Sequence, residues 1–120
     1  MMTSGPESPV VGIDRSVPVP SVEAAFRGAL TDSFKGLALC DCNMLRLHYS
    51  HGLTVDRLAD MFGRHRAAVV RQLARIRERM LRDTRRGLAA RLPLDKHELD
   101  RLIDLARSRF DFAITRLLRP

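Results

Sequence analysis

Four arginines and two short apolar residues hold the chemistry of this chain. Arg64, Arg66, Arg71 and Arg75 fall within twelve residues, with Ala67 and Val70 between them. A guanidinium is a planar fork of N–H donors that stays charged at any working pH, so it suits phosphates and the acceptor edge of guanine. Short residues between such forks let a backbone approach a partner closely. The pattern points to recognition of a polyanion. Its plainest alternative is a solvated, charged helix face.

These residues need a helix to gather them. From about His65 the apolar residues Val69, Leu73, Ile76 and Met80 recur at helical spacing and define an inner face. At about 100° per residue, the opposite side then carries Ala67, Arg71, Ala74, Arg75, Glu78 and Arg82. No breaker interrupts the pattern before Gly87 and Pro93, so the helix is expected to run to about Arg91. A shorter helix precedes it. Thr54 is placed as its N-cap, Asp56 lies in the first turn where the helix dipole favours a negative charge, and Val55, Leu58, Ala59 and Phe62 make an apolar stripe. Gly63 stands where a left-handed C′ residue is wanted. Helix, tight turn and helix together predict a helix-turn-helix, in which the start of the second helix enters the DNA major groove.

The charge distribution agrees. The net charge of the 120-residue chain is +7. Residues 64–91 hold ten Arg against Glu78 and Asp83, a balance of +8, so this one segment supplies the whole excess. Nucleic acid is the natural partner for such a cluster. A basic amphipathic helix on a membrane surface is the competing idea, but here the apolar face is needed for the core. No apolar run approaches the ~20 residues of a membrane span, and no secretory signal is visible. The expectation is a cytoplasmic protein without a membrane partner.

The remaining elements are also helical. Residues 1–20 hold four of the six prolines and no helical period, and are expected to form a disordered tail. Ser21 to Lys35 reads as a first helix capped by Ser21, and Cys40 to Tyr49 as a second. Asp95 with Glu98 forms a capping box, after which Leu99, Leu102, Ile103, Ala106, Phe110, Ala113 or Ile114, and Leu117 continue one stripe. One C-terminal helix over 95–118 is expected. The fold class is therefore all-α: a helix-turn-helix domain over 21–120 of about five helices, with a long basic recognition helix and a C-terminal helical extension.

Two other chemistries were weighed. Cys40, Cys42, His48 and His51 suggest a metal, but residues two apart on a helix diverge by about 200°, and the spacing fits no usual zinc framework. No metal and no cofactor is expected. No Gly-rich phosphate loop, nucleophile–base pair or paired carboxylates on an apolar cleft is visible, so the chain is not expected to be an enzyme.

The run NMLRLHYSHGLTVDRLADMFGRHRAAVVRQLARIRERML resembles region 4 of bacterial RNA polymerase sigma factors, through Leu45, Tyr49, Gly52-Leu53-Thr54, Leu58-Ala59, Gly63, Val69, Leu73 and Arg75 with Arg77. Together with LPLDKHELDRLIDLARSRFDFAITRLL it is most similar to the compact, extracytoplasmic-function-like myxobacterial subgroup. The resemblance spans about residues 24–119. It implies sequence-specific binding of double-stranded DNA in transcription initiation, at the −35 promoter element, and contact with the β flap of the RNA polymerase core. By position, it implies that Arg64, Arg66, Ala67, Val70 and Arg71 read or approach bases, and that Arg75 and Thr54 hold phosphates.

Three departures stand out. Ala38-Leu39 replaces a Ser-Pro-like cap, which makes Asp41 the nearer capping candidate and starts the second helix later. Ala68 stands where Thr is common. There is no room for region 2, so the chain is expected to be incomplete as a sigma factor. The alternative function is a helical protein-interaction module, binding polymerase, an anti-sigma factor or a second copy of itself through the 95–118 helix.

Overall fold

The structure is a computed structural model and describes residues 19–119. These residues form six α-helices and one π-helical turn, with no strand among them. The helices are α1 (Val19–Lys35), α2 (Leu39–Leu45), α3 (Val55–Phe62), α4 (Arg66–Arg91), α5 (Lys96–Ser108) and α6 (Phe110–Leu117). The π turn, Arg46–Ser50, continues α2. No helix among the described residues is long and apolar enough to cross a membrane.

The spine is α4, with α1 packed antiparallel along it. Ala29, Leu30, Phe34 and Leu37 are buried from the first helix and its exit, and Ile76, Met80, Leu81 and Leu88 from α4. Two polar contacts tie the last turns of α1 to the second half of α4: Ser33 Oγ donates to the Met80 carbonyl (3.2 Å), and Arg91 Nη2 to Asp32 Oδ2 (2.7 Å). The two backbones come close where Ala29 faces Gly87. A Cβ on Gly87 would lie 2.8 Å from that of Ala29, closer than carbon atoms tolerate. Gly87 is thus an interior residue of α4 selected for close approach, at a helix-propensity cost of about 1 kcal/mol relative to Ala.

The N-terminus differs from expectation. The tail expected over 1–20 lies outside the described residues except for Val19 and Pro20, which begin α1. Ser21 is therefore inside the helix rather than its cap. Pro20 in the first turn lacks an N–H that would have no helical partner there, so the helix accepts it. Likewise α2 starts at Leu39, with Ala38 as a cap residue that makes no side-chain cap bond. Asp41 is not the cap. It lies in the first turn of α2, where its carboxylate accepts from Gln72 Nε2 (2.9 Å).

After α4, Asp95 and Glu98 make the expected capping box: Glu98 N donates to Asp95 Oδ1 (2.8 Å) and Asp95 N to Glu98 Oε1 (2.9 Å). Leu99, Ile103 and Ala106 of α5 are buried against the core. The single helix expected over 95–118 is instead two, parted at Arg109 (φ −116°, ψ 18°). The bend brings α6 onto the π turn, where Tyr49 Oη donates to Asp111 Oδ1 (2.7 Å) and the Tyr49 ring meets Phe110 edge-on at 6.4 Å. Phe110, Ile114 and Leu118 are buried there.

Thr84 is the one misfit in the α1–α4 contact. It is 0% exposed, and its hydroxyl has no hydrogen-bond partner among the described residues. The carbonyl one turn back, of Met80, is the usual acceptor for such a hydroxyl, and it already takes the Ser33 hydroxyl. A buried hydroxyl without a partner is costly, and valine has the same shape without it. Thr84→Val is expected to raise unfolding stability by about 1 kcal/mol in denaturant titration; a loss would show that the hydroxyl is satisfied.

Candidate nucleic-acid interface

The interface is built from α3, a tight turn and the first three turns of α4. Thr54 Oγ1 accepts from Arg57 N (3.1 Å) and caps α3, with Asp56 in the first turn. Leu58 and Ala59 are buried, and Val55 and Phe62 pack against the core. Gly63 is left-handed (φ 64°, ψ 40°). Its N–H donates to the Asp60 carbonyl (3.3 Å) and that of Arg64 to the Ala59 carbonyl (2.9 Å). These two bonds are those of a Schellman motif. They leave the turn little freedom and fix where α4 begins. His65 stands at the N-cap of α4 without a side-chain cap bond.

Each residue singled out from sequence is exposed. Ala67, Val70, Arg71 and Arg75 share the outward face of α4, with Ala74 half-buried among them. Val70 is 43% exposed, unusual for a valine on a helix that packs on its other side. Arg64 and Arg66 lie at the entry. Arg66 Nε donates to Asp56 Oδ1 (3.0 Å) across the turn, so the first turn of α3, with Thr54 at its head, borders the start of α4. The Thr54 hydroxyl uses a lone pair for its cap bond and keeps its hydrogen to donate. Arg64 Nη1 donates to Gln72 Oε1.

The inner face differs from expectation at one position. Val69, Ile76 and Met80 are buried as expected, but Leu73 is only half-buried and Gln72, 6% exposed, takes the inner place. The buried stripe runs through 69, 72, 76, 80, 84 and 88, so polar Gln72 and Thr84 belong to it. A count of apolar residues alone passes over both. Gln72 is tolerated inside because its carbonyl faces Arg64 and its amide faces Asp41.

The outer face also ends earlier than expected. Glu78 is half-buried, and its carboxylate takes two bonds from Arg107 of α5 (2.7 and 3.2 Å). From Arg77 onward the α4 arginines, Arg82 excepted, pair with carboxylates of the chain. Arg77 pairs with Glu78, Arg79 and Arg86 with Asp83, Arg85 with Asp100 and Arg91 with Asp32. Arg82 lies near Glu78 and adds to the positive field on it. Arg71 and Arg75 have no carboxylate partner among the described residues.

The cysteines and histidines considered for a metal do not converge: among the described residues no group of three or more His, Cys, Asp or Glu is placed to hold one. Cys40 is exposed, while the Cys42 thiol donates to the Phe34 carbonyl (3.5 Å), and burial pushes its pKa up. His48 Nδ1 donates to the Leu53 carbonyl (2.8 Å) at the turn before α3. Burial, then the bond to Asp111, raises the Tyr49 pKa well above the ordinary phenol range.

Compared with family models, with curated proteins and with solved structures, the chain matches none.

The border between this face and α5 responds to acid. The Arg107 bonds hold the Glu78 carboxyl below its usual pKa, and those from Arg85 do the same for Asp100. A carboxylate depressed in the folded state stabilises it above the unfolded pKa, about 4 for these groups, and that stabilisation is lost as pH falls through the folded value. Amide exchange of α5 is expected to accelerate below about pH 4, before that of the α1–α4 pair, and Asp100→Asn is expected to blunt the effect. Equal pH dependence in both regions would show that the ion pairs do not hold α5.

Proposed function

We propose that this chain binds double-stranded DNA sequence-specifically in transcription initiation, in the manner of region 4 of bacterial sigma factors. The first three turns of α4 lie in the major groove, with the α3–α4 pair acting as a helix-turn-helix. The observation that carries the reading is the partition of arginines along α4: those of the second half, Arg82 excepted, pair with carboxylates of the chain, while Arg71 and Arg75 have no carboxylate partner among the described residues and stand beside exposed Ala67 and Val70. Arginines that nothing in the fold neutralises, on a face with short neighbours, suit close approach to a polyanion. In this reading Arg71 and Arg64 reach base edges, Ala67 and Val70 allow contact, and Arg75, Arg66 and Thr54 hold phosphates. RNA polymerase core, through its β flap, is the protein partner, and the setting is cytoplasmic.

The alternative, a helical interaction module working through the 95–118 region, receives less support. Its contact residues would be Leu99, Ile103, Phe110 and Leu117. The first three are buried within this chain and Leu117 is half-buried. Their burial within the monomer weakens this reading, while Leu105 and Phe112 of the same region stay exposed.

Selection of bound duplexes from a random pool at about 100 mM salt tests the proposal, since surface charges are then already screened beyond ~10 Å. An enriched short motif is expected. Arg71→Ala is expected to relax one base pair of that motif and to cost about 1–3 kcal/mol, the worth of one bidentate contact. Affinity is expected to fall roughly 10-fold between 50 and 200 mM salt if Arg66 and Arg75 each neutralise one phosphate, and more steeply if the base-reading arginines also lie against phosphates. Absence of binding would turn the assignment to protein interaction.

A further inference from the structure

Gln72 is a buried amide on the inner stripe of α4, and its surroundings are more specific than burial requires. Its Oε1 accepts from Arg64 Nη1, and its Nε2 donates to Asp41 Oδ1 (2.9 Å). A cation thus stands on the carbonyl side of the amide and an anion on its NH₂ side. The charges fix which way the amide points and strengthen both bonds. Three separate segments meet in this relay: the first turn of α2, the inner face of α4 and the turn that precedes α4.

Arg64 is held at both ends. Its backbone N–H is fixed by the Ala59 carbonyl in the Schellman turn, and its guanidinium by Gln72. Yet the residue as a whole is exposed at the entry of α4, and only one of its terminal nitrogens is engaged in this bond, so the other N–H donors of the fork remain to be used. Arg71 and Arg75 are unlike it, since among the described residues neither side chain has a carboxylate partner or a hydrogen bond such as the one Arg64 makes to Gln72. An arginine side chain carries a large rotamer entropy, and a contact made by a fork already in place loses less of it on binding.

We infer that Gln72 and Asp41 are positioning residues: they set the guanidinium of Arg64 in the orientation in which it meets DNA, although neither reaches DNA itself. This deepens the DNA-binding reading and rests on it. It assigns a specificity-setting role to the buried side of α4 and to a residue of α2.

The test uses the full chain and two readouts. In the free protein, ¹⁵N NMR of the Arg64 guanidinium reports rotation about its Nε–Cζ bond. Rotation is expected to be hindered in the wild type and released in Gln72→Met, which keeps the volume of the side chain without its amide. Asp41→Asn, which leaves the shape of α2 unchanged, is expected to give an intermediate result. On a labelled duplex carrying the selected motif, Gln72→Met is expected to weaken binding roughly 2- to 10-fold, the cost of ordering one such side chain on binding. In an Arg64→Ala background the same substitution is expected to change nothing. Equal guanidinium rotation in wild type and Gln72→Met would overturn the relay. A loss of affinity from Gln72→Met that persists in the Arg64→Ala background would overturn its action through Arg64. Failure of the wild type to enrich any motif would overturn the DNA reading, and the recognition role with it, while the NMR result separately decides whether the relay holds the side chain.

Discussion

The burial of one long stripe on α4 is the constraint on which the rest of the structure depends. A helix of 26 residues extends about 39 Å, too long to be covered by any single neighbour in a chain of this size. Its stripe drifts around the axis because buried positions recur mostly every four residues, against a helical repeat of 3.6. α1 covers it along the second half, α3 and α2 close it near the start, and α5 lies on another side. The close approach at Ala29 and Gly87 sets the distance between the two long helices. The outward side of the first three turns remains uncovered, and that is where Arg71 and Arg75 stand.

Ion pairs on such a surface add little to stability, on the order of 0–1 kcal/mol each. Their consequence here is the division of labour among ten arginines of one segment. Asp32, Asp83 and Asp100, with Glu78, sit where they take up the charge of the second half of α4. Asp56 takes up that of Arg66 only, at an exposed pair that a phosphate can displace. Net charge therefore overstates the free charge of the basic face: the excess belongs to residues 64–91, but among the described residues the α4 arginines without a carboxylate partner are Arg71, Arg75 and Arg82.

Much of the architecture was legible in the sequence because its signals are local. Thr54, Gly63 and the Asp95–Glu98 box act within four residues of themselves, and each does in the structure what its type and position require. The exposure of Ala67, Arg71 and Arg75 followed from the helical period. The errors lie where a distant contact decides. The apolar period runs through Arg109 unbroken, so nothing in it marks the bend that brings α6 to Tyr49. Gln72 reads as a surface residue until Arg64 and Asp41, 8 and 31 positions away, are seen at its two ends. A better signal was present: position 72 is three after Val69 and four before Ile76, so a polar residue there demanded an explanation. Ser21 gave way as a cap because α1 begins two residues earlier, with a proline that its first turn admits.

The two kinds of arginine on this face suggest how affinity and selectivity can be separated within one helix. In the proposed DNA-binding reading, Arg75 can adjust to whichever phosphate lies near, and such an adaptable cation contributes attraction that depends on salt more than on sequence, while Arg71 pays the ordering of its side chain when it meets a base edge. Arg64 is restrained at backbone and guanidinium, so a duplex that places an acceptor elsewhere gains little from it. Restraint of this kind moves the entropy cost of ordering from the binding step to folding, and discrimination increases because the misplaced fork cannot follow the wrong base. The buried polar relay is then understandable as more than a tolerated defect of the core. An apolar residue at 72 would pack as well against α2, but it would leave the one arginine nearest the turn free to wander.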